Sequence, residues 1–197
     1  MTQLIDNVLI LLILVPAAVN AGAVTATVCP PQSFVNKINF AKNPSFEVSG
    51  PNGFPVSWRH DQTVPAVSAA KDWFMHSNEA GAKVSSLLTS ANVPGPGGFR
   101  MLHYIAGGAE GGVYQPLLNA PRKLMFSAWV LVVKGHLVLQ AGRADSGPAA
   151  WSTKINQWEQ LRVCTDGSVP LDMLAIYNQD PNGGEFFVDR VEVRETP

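Results

Sequence analysis

Two carboxylates stand where a carboxylate needs a partner. Glu47 follows Phe46 in "NPSFE", and Asp189 lies in "FFVDRVEVRE" near the end of the chain. Side chains of a strand point to opposite faces in turn, so Phe187, Asp189, Val191 and Val193 share one face, which the pattern assigns to the core. Phe186, Val188, Arg190, Glu192 and Arg194 take the other. A carboxylate in phase with three apolar neighbours is costly unless it is paired, hydrogen-bonded or metal-bound. Few cations lie near either residue, and the first and last strands of a sandwich are often neighbours. A hard cation such as Ca²⁺, held by carboxylate and carbonyl oxygens, would satisfy both. Capping of each by backbone N–H groups or by Lys and Arg is the competing expectation.

A second set of residues offers flat apolar faces and amides. Trp73 in "KDWFMH" and Trp151 in "GPAAWS" occur in segments with little core pattern, which makes them candidates for exposed aromatic platforms. Tyr177 and Asn178, ending a strand, are candidates of the same kind. Trp129 lies on a strand apolar on both faces and is expected to be covered by a loop, with a place on a cleft floor as the alternative.

Catalytic patterns are missing. "ADSGPA" (144–149) lacks the glycines that shape an oxyanion hole, and no histidine segment accompanies it, so a turn is the better reading. No G-x-S-x-G elbow occurs. His60, His76, His103 and His136 show no metal-ligand spacing. The chain is not expected to be an enzyme.

These residues must be positioned by strands. The chain has 197 residues, 46% hydrophobic and 15% charged, enough for one domain with an ample core. From residue 99 onward, short apolar stretches alternate with Gly, Pro, Asn and Asp: 99–106, 111–118, 123–133, 137–142, 158–164, 170–178 and 185–193. In "KLMFSAWVLVV", Leu124, Phe126, Ala128, Val130 and Val132 share one face. In "GGVYQ", Val113 and Gln115 share a face opposite Tyr114. The N-terminal half is less regular, with strand-like pieces at "DWFMH" and "AKVSSLL" and room for a short helix near 79–89. The architecture is all-β.

Residues 1–23 read as an export signal: the apolar run Val8–Val15 is too short to span a bilayer, and small residues follow at Ala21 and Ala23. The absence of Lys and Arg before the run and the presence of Asp6 depart from the usual pattern, and a short buried or anchoring segment is the alternative. The mature chain is then expected to start near Gly22 or Val24, to be secreted, and to have no membrane contact after signal removal. A net charge of −1 without basic runs excludes electrostatic recruitment to nucleic acid. Cys29 and Cys164 are too far apart in sequence for a C-x-x-C site. In an oxidising compartment they form one disulfide closing a long loop; two free thiols is the alternative.

"NPSFE", "GFPVSW", "GGVYQPL", "KLMFSAWVLV", "WEQLRV", "LAIYN" and "FFVDRVEVRE", in this order, resemble the carbohydrate-binding modules of the cellulase-C type. The resemblance covers residues 39–195. It implies a galactose-binding-like jelly-roll β-sandwich, preceded by an N-terminal extension at 24–38. It also implies a structural Ca²⁺ at Glu47 and Asp189, a polar binding-sheet position at Gln115, and core positions for Trp58 and Trp158, which are assigned to packing. The function implied is non-catalytic binding of a polysaccharide or other glycan, with Trp73, Gln115, Trp151, Tyr177 and Asn178 as candidate ligand contacts. The alternative is an extracellular structural or adhesion module that binds protein and has no sugar site.

Overall fold

The segment "LMFSAWVLVVK" forms the long inner strand its composition favours. β-branched and aromatic residues fit a pleated, buried surface, and strand β5 runs over Leu124–Lys134. Its core face is Leu124, Phe126, Ala128, Val130 and Val132, all buried. Each such Leu, Val or Phe withdrawn from water contributes about 1.5–3 kcal/mol.

In this computed structural model the residues described are 29, 34–42, 44–46, 73–75, 83–88, 95–96, 98, 100–109, 111–117, 120–142, 147–168 and 171–197. Before β5 come β1 (Phe74–Met75), β2 (Lys83–Leu88), β3 (Arg100–Ala106) and β4 (Gly112–Pro116). After it come β6 (Leu137–Gly142), β7 (Ala149–Trp151), β8 (Trp158–Cys164), β9 (Met173–Asn178) and β10 (Gly184–Glu195). They make two five-stranded sheets, ordered β1-β4-β9-β6-β7 and β2-β3-β10-β5-β8. Every neighbouring pair is antiparallel. The inner faces of the two sheets enclose one core, in which Leu102, Tyr104, Val113, Phe126, Leu139, Ile176 and Phe186 take part. This is an all-β sandwich of jelly-roll type.

Residues 83–88 are strand, which overturns the helix considered near 79–89. Strand β7 was not anticipated: the turn expected over "ADSGPA" ends in a three-residue edge strand beside β6.

Strand β10 corrects the expected alternation. Phe186 and Val188 point into the core, and Phe187 points out, stacked on His103 with ring centroids 4.4 Å apart. The pairing with β5 then slips between Asp189 and Glu192, and Arg190 takes φ +48°. This bulge resets the phase, so Val191 and Val193 face the core again. Phe187 therefore does not share a face with Val191, as strict period two required.

Beyond the start of β3, an N-terminal strap takes its place beside β10. Phe40 N–H donates to Val193 O at 2.9 Å and Val35 N–H to Glu195 O at 3.1 Å. Asn39 pairs through its carboxamide, Nδ2 to Val191 O and Oδ1 from Val193 N–H. Cys29 is disulfide-bonded to Cys164 at the end of β8, with Cα atoms 5.3 Å apart. Of the two readings for these cysteines, the bridge is the one found. The expected signal segment, 1–23, lies outside the described residues. Among the described residues no helix is long and apolar enough to cross a membrane.

Candidate functional site

On the outer face of the first sheet, pairing registers align the side chains into rows. Gly112, Tyr177, Val138 and Trp151 form one row across β4, β9, β6 and β7. Tyr114, Ala175, Gln140 and Ala149 form the next. A second apolar cluster of Val138, Ala149, Met173, Ala175 and Tyr177, flanked by Tyr114, occupies this face. Gly112 is required there, because a Cβ on it would lie against the Ile176 carbonyl and the Tyr177 Cα and Cβ. Burial pushes the Tyr114 phenol above its ordinary range.

Trp151 ends β7, the edge strand, and is 43% exposed. Its indole N–H donates to Gln179 Oε1 at 3.1 Å, which fixes the ring. The chain after it is tied down: Ser152 N–H donates to Leu137 O, and Leu137 N–H to Ser152 Oγ. The Glu159 carboxylate then accepts from Thr153 N–H, Thr153 Oγ1 and Lys154 N–H at 2.8–3.0 Å. A rigid exposed indole can stack on the C–H face of a planar or ring ligand.

The other sequence candidates are placed differently. Trp73 is wholly buried, 5.3 Å from Phe46 between ring centroids, and its indole N–H donates to Lys42 O. It is a core residue and no platform; "DW" carried too few neighbours to reveal that Trp73 itself is the inward residue. Gln115 also points inward, in phase with Val113. Its Oε1 accepts from Lys42 N–H at 2.8 Å and its Nε2 donates to Lys42 O at 3.0 Å, so it anchors the N-terminal strap and does not lie on a binding surface. Tyr177 lies on the outer face but is 8% exposed, its hydroxyl donating to Gln140 Oε1.

Asn178 is buried and works as a clamp. Its Nδ2 donates to Gly108 O and Asp180 O, and its Oδ1 accepts from His136 N–H and Asp180 N–H. Glycines at 135 and 184 leave room for the carboxamide. Three loops at one end of the sandwich thus converge on one side chain. Gln179, His136 and Trp151, all exposed, are presented at that end. Gln179 was missed by sequence reading; its two-residue offset from Tyr177 places it on the same face.

Asp189 is wholly buried at the bulge, and its Oδ1 accepts from Arg190 N–H at 2.7 Å. The segment 44–46 docks beside it, Val191 N–H donating to Pro44 O, and Phe46 is buried as a core anchor. Glu47 lies outside the described residues, as do Trp58, His60 and His76. Among the described residues no group of three or more His, Cys, Asp or Glu is placed to hold a metal.

Trp158 is not the core residue expected. It lies half-buried on the outer face of the second sheet, opposite Leu131 and diagonal to the half-buried Trp129.

No family model matches this sequence, and no curated protein matches it. Solved structures do match. A candidate sugar-binding protein of Bacteroides thetaiotaomicron VPI-5482 aligns with TM-score 0.55 at 13% identity, over 81% of this chain and all of its own. A family 61 carbohydrate-binding module in complex with β-1,4-galactotriose aligns with TM-score 0.51 at 15% identity, over 80% of this chain and 99% of its own. Tailspike protein 4 of bacteriophage CBA120 aligns with TM-score 0.50 at 12% identity, the match covering 79% of this chain and 21% of the tailspike. What they share is the fold. At such identities no binding residue carries over, and one scaffold hosts many functions.

Proposed function

We propose that this chain is a secreted, non-catalytic glycan-binding protein, akin to the cellulase-C type of module, and that Trp151 is its stacking platform. The observation that carries the reading is an exposed indole, locked by Gln179, on a rigid edge of a fold that also serves a module crystallised with a galactotriose. The Cys29–Cys164 bridge supports an oxidising, extracellular compartment. Polar groups beside the platform, at Gln179 and His136, supply the hydrogen bonds that orient sugar hydroxyls. No step of bond cleavage is assigned to any residue.

A structural Ca²⁺ belongs to the same proposal. Asp189 supplies one hard oxygen at a buried bulge. The docking of Pro44 beside Val191 brings the chain leading to Glu47 toward it. The ion would tie the first segment to the last strand and take no part in ligand contact.

The second reading, a protein-binding adhesion module, has its own observations. Trp73 and Tyr177 are buried, while Trp129, Leu131, Val133 and Trp158 leave a half-exposed apolar strip on the opposite sheet. Affinity electrophoresis through gels containing soluble β-glucan, xylan, mannan or pectin separates the two. Retardation by one polymer, lost in Trp151→Ala, is the expected result. Migration unaffected by every polymer would shift the assignment to the protein-binding reading.

A further inference from the structure

Trp151 is bounded in a way that limits what it can hold. It ends a three-residue strand that forms the edge of its sheet among the described residues, and is itself 43% exposed. Inward from that edge its row continues through Val138 and Tyr177, which are 0% and 8% exposed. Along its own strand the preceding residue on the same face, Ala149, is 7% exposed. A glycan chain lying across the sheet would need these residues as its floor, and they are already covered. Ahead of Trp151, in phase with the outer face and past the strand ends, stand Gln179 and His136, both exposed. They are held by the Asn178 clamp and by Gln179 N–H donating to His136 O at 2.8 Å. The Gln179 carboxamide oxygen is engaged by the Trp151 indole N–H.

We infer that the Trp151 site recognises the end of a glycan, one terminal sugar ring stacked on the indole, and not the interior of a polysaccharide chain. This rests on the glycan-binding reading. The terminal ring takes its stacking from Trp151 and its hydroxyl contacts from Gln179 and His136, and the rest of the chain leaves over the edge of β7. The platform is one indole wide, so sugars beyond the first one or two add little affinity.

The test uses soluble xylan, mannan, mixed-linkage β-glucan and β-1,4-galactan, each intact and after limited digestion by an endo-hydrolase, with binding measured by isothermal titration calorimetry. For a polymer that binds, the moles of protein bound per gram rise in proportion to chain ends. Kd for its purified oligosaccharides stays within about twofold from disaccharide to hexasaccharide. Trp151→Ala weakens binding roughly tenfold or more and Trp151→Tyr restores part of it, with circular dichroism showing both variants folded. Binding whose capacity per gram is unchanged by digestion, with affinity climbing through four or five sugars, overturns end recognition and leaves the glycan reading standing. If no polymer or oligosaccharide binds, both fall.

Discussion

Asn178 makes four hydrogen bonds with one carboxamide and so substitutes for three separate loop anchors. Asn178→Ala would leave the Gly108 and Asp180 carbonyls and the His136 and Asp180 N–H groups without that partner. Since buried polar groups left unsatisfied cost about 1–3 kcal/mol each before relaxation and water entry, we expect a loss of about 3 kcal/mol in urea unfolding. Because the clamp presents Gln179 and His136, ligand affinity should fall with stability. By contrast, Trp151→Ala should lower affinity with the unfolding midpoint nearly unchanged. Beside the clamp, the Asp180 carboxyl is held below its ordinary range, first by the Asn182 backbone N–H and then by the Asn182 side chain, with His136 and Lys134 nearby. A carboxyl depressed on folding contributes stability that is present above its unfolded pKa and lost as pH falls through the folded value. Asp180→Asn should therefore lower the neutral plateau of a stability–pH curve and flatten its acid limb, the two chains converging at low pH where the carboxyl is protonated. An unchanged acid limb would remove Asp180 from the account of acid unfolding.

At the scale of elements, strand positions were legible because the rule that sets them is local. The stretches at 137–142 and 158–164 coincide with β6 and β8, and those around β3, β5 and β10 differ only at their ends. What was not legible depended on partners distant in sequence. Gln115 has the correct phase with Val113, yet its role is decided by Lys42, which lies 73 residues earlier. Trp73 is read as free until Phe46 and Lys42 are brought against it. The bulge at Asp189–Glu192 breaks period two, and nothing in "FFVDRVEV" marks the extra residue. That bulge also gives the ion proposal its sharpest consequence. If Ca²⁺ binds at Asp189, EDTA lowers the thermal midpoint of the native chain by several degrees and added Ca²⁺ restores it. Asp189→Asn would then be less stable and insensitive to EDTA. A native chain indifferent to EDTA, with Asp189→Asn equally destabilised, would make Asp189 a hydrogen-bonded carboxylate with no metal.

The whole molecule is closed by two attachments of its N-terminal segment, and they act on different states. The strap at 34–42 is held in the folded state by Val35, Asn39 and Phe40 along β10 and by Gln115 at Lys42. The disulfide spans 135 residues of sequence and acts chiefly by restricting the unfolded chain. In the chain-entropy description a loop of that size is worth about 5 kcal/mol, and measured bridges commonly deliver less. For a domain of this size about 4 kcal/mol corresponds to roughly 10 °C in midpoint. The double variant Cys29→Ser/Cys164→Ser should therefore unfold roughly 10 °C lower, and reductant should lower the native chain to the same point. Its affinity for ligand should nevertheless match the native value, because Cys164 ends β8 of the second sheet while Trp151 sits on β7 of the first. The strap's own hydrogen bonds keep the folded state unchanged between them. Loss of affinity in the double variant at a temperature where it is fully folded would mean that the tether positions the site, and that the two sheets are coupled through the strap.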